Sequence, residues 1–440
     1  MSKDTAGCSA SVGSINQSTN QSLICETNIN RQDSDAKQYT SFTGFQGRKA
    51  CTDRNPLNTN RDAYKWLYLQ VPSGWLADRF GGLWLLAGSM AVESVLAMLI
   101  PVAAHLHVGY VIALRALSGV FDGIQCPTAI SLVAGIAPPS ERSRAVGFTM
   151  SGTSFGAIVG MLVAGVLCDH AGWPWVFYTF GLTGCAWAAA WIVVGRGHRS
   201  SLCRQGTSGQ GRRRTPWRRI LTSRQVWACA MAYTANMWGF VTSLTCLPMY
   251  LSDVFGYGMT ENGFLSMLPY VADGVMLLSS GQLADLLLRN QRCQLSTGFV
   301  RKTFCVVGLL TSGVFIILPG ALDCHRVPII ACLVASVGMI GFSMPNVAAN
   351  AMDLSPSDAG TLMGLTNTIS NAVSILAPMV VGALTYGHST RLQWTKIFAI
   401  VAAINAAGAA VFVVFGSGRR QDWAAADVDD PVDDHSWSTS

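Results

Sequence analysis

From Leu83 onward the chain is built from ten long apolar segments, at approximately 83–104, 108–137, 145–168, 174–195, 225–251, 263–288, 303–319, 327–350, 359–386 and 395–416. A helix needs roughly 20 apolar residues to cross the hydrocarbon core of a bilayer. Nine of the ten clear that length, and 303–319 is short. Lipid offers no partner for an unpaired backbone group, so each segment is expected to be a helix. Only 12% of the residues are charged, half the share of about 25% found in soluble domains. The expected fold class is an all-α multi-pass membrane protein.

Loop charges give an orientation. One set of alternate connections holds Arg79, Arg142 and Arg144, nine arginines from Arg196 to Arg224, Arg289, Arg292, Arg301, Lys302, Arg419 and Arg420, eighteen cations in all. The opposite set holds Arg326, Arg391 and Lys396. Positive loops stay in the cytoplasm, so the first set and the C-terminus are expected there. The net charge of +6 thus reads as an orientation signal and not as a nucleic-acid surface. The loop near Asp353 and Asp358 is the exception, since it carries no cation.

The chain divides into five stretches. Residues 1–62 are rich in Ser, Asn and Thr, lack an apolar run of even ten residues, and are expected to be disordered. Residues 63–195 form a front bundle, 196–224 an Arg-rich cytoplasmic linker, 225–418 a back bundle, and 419–440 an acidic, disordered cytoplasmic tail. Cys185, Cys229, Cys246, Cys305 and Cys332 lie inside apolar runs, where they act as small apolar residues. An internal echo relates the bundles: "GWLADRFGG" (74–82) and "GQLADLLLR" (281–289) end helices 207 residues apart.

The stretch "YVIALRALSGVFDGIQCP" (110–127) sets Arg115 and Asp122 in an otherwise uncharged run. Seven residues apart, they lie roughly 10.5 Å apart along a helix axis and share a face. A central arginine costs roughly 2.5–3.5 kcal/mol on insertion scales. Such charges face a water-filled cavity or the bundle interior and mark substrate or proton paths. Arginine keeps its charge and offers a planar fork that fits carboxylate or phosphate. Asp122 can take up and release a proton. The alternative is a structural ion pair within the bundle. Glu93 and Asp273 also sit in spans, facing a cavity or a neighbouring helix. Asn236, Asn346, Asn350 and Asn367 either line a cavity opposite Arg115 or bond between helices. Gly152, Gly156 and Gly160 repeat every four residues, a spacing for close helix packing.

"GWLADRFGGL" resembles the loop signature of the major facilitator superfamily. "LRALSGVFDGIQCP", "APPSERSRAV", "GWPWVFYTFG", "LPMYLSDVFG", "VRKTF" and "DLSPSDAGTLMGLTNT" follow in the order seen in its anion–cation symporter family. That family includes sialin, the vesicular glutamate and nucleotide transporters, sodium–phosphate cotransporters and plant plastid anion transporters. The resemblance runs from about Tyr64 to Trp423. It implies two helix bundles around a central cavity, with twelve spans in relatives. Here the first span is missing and the second is a stub of about Tyr64 to Ala77, leaving ten full spans and an incomplete front bundle. Relatives show R-x-x-x-G-x-x-E-G where this chain has Arg115, Gly119, Asp122 and Gly123, so aspartate replaces glutamate.

No phosphate-cradling G-x-x-x-x-G-K-[ST], H-E-x-x-H or G-x-S-x-G occurs, so no enzyme, metal or cofactor is expected. The expected function is secondary active transport of an organic or inorganic anion by alternating access, driven by protons, sodium or the membrane potential. Phosphate, glutamate, sialic acid and nucleotides are the candidate classes. Arg115, Asn236 and Asn350 would bind the anion and Asp122 would couple it. Asp78, Arg79, Glu141, Arg142 and Arg144 would form a cytoplasmic gate, with Glu141 to Arg144 pairing with Asp78 or Arg79. The partners are the anion, a coupling cation and the bilayer. The alternatives are a non-transporting membrane sensor or scaffold, or a facilitator for neutral substrates.

Overall fold

The computed structural model describes residues 67–80, 82–197, 215–255, 259–290, 295–322, 326–385 and 390–425. The expectations for 1–62, for most of the linker and for most of the tail fall outside these residues. The helices are α1 (Leu67–Phe80), α2 (Gly82–Leu106), α3 (Val108–Ile136), α4 (Arg142–His170), α5 (Trp173–Gly197), α6 (Trp217–Thr222), α7 (Arg224–Phe255), α8 (Met259–Arg289), α9 (Thr297–Ala321), α10 (Arg326–Leu354), α11 (Ala359–Ser374), α12 (Leu376–Thr385), α13 (Arg391–Phe415) and α14 (Asp422–Ala425). Among the described residues, nine helices are long and apolar enough to cross a membrane, with α11 and α12 counted as one. The tenth expected span, α7, has 32 residues, and Thr234, Asn236, Thr242 and Thr245 dilute its apolar character. The stub α1 has 14 residues and reaches roughly 21 Å.

Several boundaries differ from the apolar pattern for physical reasons. The short segment 303–319 belongs to a helix of 25 residues, because Ser296 caps its start by accepting from the Phe299 amide at 3.3 Å. Its early cations both find partners: Arg301 is fully buried, and the part-exposed Lys302 donates through Nζ to the Val413 carbonyl at 2.7 Å. The 359–386 segment breaks at Ile375. Pro378 lacks the amide that would bond Ser374, and its ring clashes with that carbonyl. The described part of the linker region contains α6, with Ile220 buried. The tail begins with an ordered turn, not disorder: Gln421 N donates to the Leu354 carbonyl at 3.0 Å and Trp423 packs into the core.

The front half is α1–α5 and the back half α7–α13. Antiparallel alternation gathers the α1–α2, α3–α4, α8–α9 and α10–α11 connections, both ends of the linker and the end of α13 at one end, here termed the linker end. In the front half α2 packs on α3 and α5. In the back half α9 packs on α10 and α13, and α7 on α11, α13 and α10. Across the halves α4 runs along α8, its most extensive contact, and α1 runs along α11. One core cluster joins Ile130, Val133 and Val146 to Leu277, Met344 and Leu362 and fuses the halves. A second, around Trp238, Tyr250, Trp394 and Phe398, lies within the back half.

The surface is that of a lipid-facing bundle. On α9, Val307, Leu310, Val314 and Ile317 are exposed while Gly308, Ser312 and Gly313 are buried. The small and polar residues therefore face protein, together with Phe304, Leu309 and Ile316, while the outward face is apolar. Cys126, Cys185, Cys229, Cys305 and Cys332 are free thiols, as the apolar reading of four of them expected. Cys168, at the end of α4 away from the linker, is disulfide-bonded.

Candidate transport site and its closure

The sequence echo has a structural counterpart. At the end of α1 the Asp78 carboxylate accepts from the Gly360 and Thr361 amides at 3.0 and 2.7 Å, and from Thr361 Oγ1 at 2.8 Å. These groups belong to the first turn of α11, in the other half. At the end of α8 the Asp285 carboxylate accepts from the Ser143 and Arg144 amides at 3.3 and 2.7 Å, the first turn of α4. The first amides of a helix lack intrahelical partners and carry partial positive charge. Each half thus caps a helix of the other with the aspartate of the same motif. Ser131 Oγ of α3 also donates to Asp78, at 2.6 Å. Asp78 lies outside the nine spans. Burial pushes its carboxyl up to about 6, against the pull of its bonds from Ser131, Thr361 and Gly360.

The motif glycines make this approach possible. A Cβ on Gly74 would run into the Gly360 carbonyl, and one on Gly281 would sit 2.5 Å from the Ser143 carbonyl. Both neighbours are backbone.

Beside the caps lies a buried ion network. Arg301 Nε donates to Asp353 Oδ2 at 2.9 Å, and its Nη1 donates to Ser143 Oγ and to Asn346 Oδ1. Arg142 Nη1 donates to Asp353 Oδ1 and to the Met352 carbonyl, both at 3.2 Å. Asp353 therefore finds its cations on α4 and α9, which explains a loop without any of its own. At the rim, Glu141 pairs with Arg289 of α8 and with Arg144 at 3.0 Å, and Arg289 Nε donates to the Ser140 carbonyl at 3.2 Å.

Of the expected gate residues, Asp78, Glu141, Arg142 and Arg144 thus come together at the linker end, but with other partners. Glu141 meets Arg289, and neither Asp78 nor Arg79. The reason is register: Asp78 is consumed by the α11 cap, and the Arg79 guanidinium stacks over Trp75 at 5.0 Å. Sequence reasoning missed Asp285, Arg289, Arg301, Asp353 and Thr361 as gate groups. The repeated motif pointed to Asp285, and the uncompensated Asp353 was itself a signal of a distant cation.

Inside the front half, Arg115 is half-buried, its guanidinium 5.5 Å from the Phe177 ring centroid on α5. Glu93 on α2 is buried, accepts from Gln125 Nε2, and lies within electrostatic reach of Asp122 and Arg115. Asp122 also neighbours Cys126, which shares a hydrogen bond with Tyr233 of α7 across the halves. Asn236, Asn346 and Asn350 find their partners elsewhere. Asn236 accepts from Ser343 Oγ and donates to the Ala232 carbonyl at 2.9 Å, so it fastens α7 to α10. Asn350 donates to the Ser417 carbonyl at 2.8 Å. It stands about 6 Å from the linker end of α10, whereas Arg115 is roughly 31 Å from that end of α3. Asn346 serves Arg301. For Asn236, Asn346 and Asn350 the helix-bonding alternative is the one the geometry shows.

Two helix bundles capping each other through a duplicated motif, with charges held at mid-depth, make up the fold of a two-half membrane transporter. The chain belongs to the major facilitator superfamily, within its anion–cation symporter family: residues 67–378 match the family described as Major Facilitator Superfamily. Sialin of Ovis aries is 34% identical over 379 residues, covering 83% of this chain and 75% of that protein. Sialin of Homo sapiens gives the same figures. Vesicular glutamate transporter 3 of Danio rerio is 32% identical over 381 residues, covering 82% of this chain and 64% of its own length.

Proposed function

We propose that the chain is a secondary active transporter of an organic or inorganic anion that works by alternating access. The duplicated cap carries this reading. Both caps, and the Arg142–Asp353–Arg301 network, join opposite halves at one end only and consist of bonds that a rigid rocking of the halves can break and remake. The excess of loop cations makes that end cytoplasmic, so the arrangement described is one with its cytoplasmic end closed. Arg115 supplies the permanent charge that holds the anion, and Asp122, with Glu93 beside it, supplies the ionisable group that couples movement to a cation. The names of the relatives support sialic acid and glutamate among the candidates, and phosphate and nucleotides share the same requirement for a cation. The membrane potential adds a driving force of roughly 2.3 kcal/mol per elementary charge for each 100 mV.

The test is uptake by the full chain in proteoliposomes. Labelled phosphate, glutamate, sialic acid and ATP are offered in turn under an imposed proton gradient, sodium gradient or potential. At least one anion is expected to accumulate, under a gradient that identifies the coupling ion. Absence of uptake for all four under every gradient, from protein that retains its melting transition, would refute the proposal.

A further inference from the structure

A second ionisable group, on a different helix from Asp122, lies in the seam between the halves. Asp273 sits near the middle of α8 and is buried. Ser154 Oγ, on α4 of the front half, donates to Asp273 Oδ2 at 2.5 Å. The other oxygen, Oδ1, lies against Gly341 of α10, where a Cβ would come within 2.5 Å of it. The carboxyl group is thus enclosed by three helices, two from one half and one from the other.

No cation reaches it among the described residues. Ser154 of α4 and Gly341 of α10 meet Asp273 itself, and beside them Phe155 faces Gly274 and Gly338 faces Ala272. From α7, Phe240 packs on Tyr270, which among the described residues is the titratable group within electrostatic reach of Asp273. Of the charged groups of α4, α9 and α10, Arg142, Arg144, Arg301, Lys302 and Asp353 gather at the linker end, near Asp285. At the other end Asp169 and His170 close α4 and Arg326 opens α10, each 15 or 16 residues, roughly 22–24 Å, from Ser154 or Gly341. Asp285 is 12 residues from Asp273, roughly 18 Å along α8. Glu261 is 12 residues away in the other direction, and Cys332 lies nine residues from Gly341 on α10. An ionised carboxylate in this enclosure would be a buried charge with one hydroxyl to stabilise it, and such groups take up a proton instead.

We propose that Asp273 is a second proton-binding residue of the transport cycle, protonated while α4 and α8 are packed as described and deprotonated when the seam opens to water. On opening, the acid O–H bond breaks, the proton passes to water and the carboxylate keeps the electron pair. On closing, the proton is regained. The location at the α4–α8 contact ties proton release to the relative movement of the halves, not to anion contact. The coupling role rests on the transport reading, whereas the presence of the proton does not.

The experiment has two readouts on the full chain. Infrared spectroscopy in nanodiscs detects the C=O stretch of a protonated carboxylic acid. Asp273→Asn is expected to lose one such component, and Ser154→Ala, which keeps the acid but removes its hydroxyl partner, to shift it. Identical spectra for wild type and Asp273→Asn would overturn the proposal, and an unshifted Ser154→Ala spectrum would do so where Asp273→Asn does not fold. The second readout counts protons moved per anion in proteoliposomes, with Asp273→Asn expected to move one fewer. A lost infrared component with an unchanged proton count would overturn the coupling role and leave a structural acid. If the wild type carries none of phosphate, glutamate, sialic acid and ATP, the transport reading fails and the coupling role with it, while the infrared result still decides whether Asp273 holds a proton.

Discussion

Asp353→Ala will lower the stability of the folded protein by about 3–5 kcal/mol, the cost of removing one partner from a buried ion pair. The estimate follows from what remains. Arg301 is fully buried and Arg142 nearly so, and among the described residues each pairs directly with one carboxylate, that of Asp353, while Asp285 reaches Arg301 through electrostatics without a direct ion pair. Arg301 Nη2 and Arg142 Nε already lack a hydrogen-bond partner among the described residues, so the site has no spare acceptor to offer. Replacing Arg142, Arg301 and Asp353 together with apolar residues of similar volume will recover much of the loss, since apolar isosteres of a whole buried ionic triad are often neutral or stabilising. Melting midpoints in detergent, followed by tryptophan fluorescence, check both statements. An unchanged midpoint in Asp353→Ala would show that the arginines are neutralised by something else.

Gly281→Leu and Gly74→Leu will each force the linker end apart. The added atoms meet the carbonyls of Ser143 and Gly360, which are backbone and cannot rotate away. Overpacking of this kind costs about 1–3 kcal/mol, which corresponds to a 5- to 150-fold loss of the closed arrangement relative to the open one. Distance measurements between spin labels at Pro139 and Asn290, both described at the linker end, read the change directly. The expected outcome is a longer principal distance in either variant. Wild-type distances in both would mean that the caps do not set the closure.

What was legible in the sequence follows from how local each signal is. The spans were legible because apolar runs of bilayer length need no partner to be recognised, and even α7, with its threonines, keeps the length of a span. The duplicated G-x-L-A-D showed that the halves are related, but its role was hidden. Asp78 bonds the amide of Gly360, 282 residues later, and nothing local to "GWLADRF" names that residue. The same distance hid Arg301, whose carboxylate partner lies 52 residues away on another helix. Asn350 shows the opposite difficulty. A polar residue in an apolar run fits a cavity wall and a helix-to-helix bond equally well, and only its position beside Ser417 decides. Arg115 was recognisable from the cost of a charge in a span, while its stacking on Phe177 depended on how α3 and α5 pack.

The transport proposal stands on the membrane-embedded Arg115 guanidinium holding the anion. It is tested most directly by comparing initial uptake rates of wild type and Arg115→Ala in proteoliposomes, with Arg115→Lys as the charge-retaining control and melting midpoints measured alongside. Arg115→Ala is expected to fall to the rate of empty liposomes with its melting midpoint preserved, and Arg115→Lys to keep part of the rate. Anion uptake by Arg115→Ala at the wild-type rate would contradict the proposal.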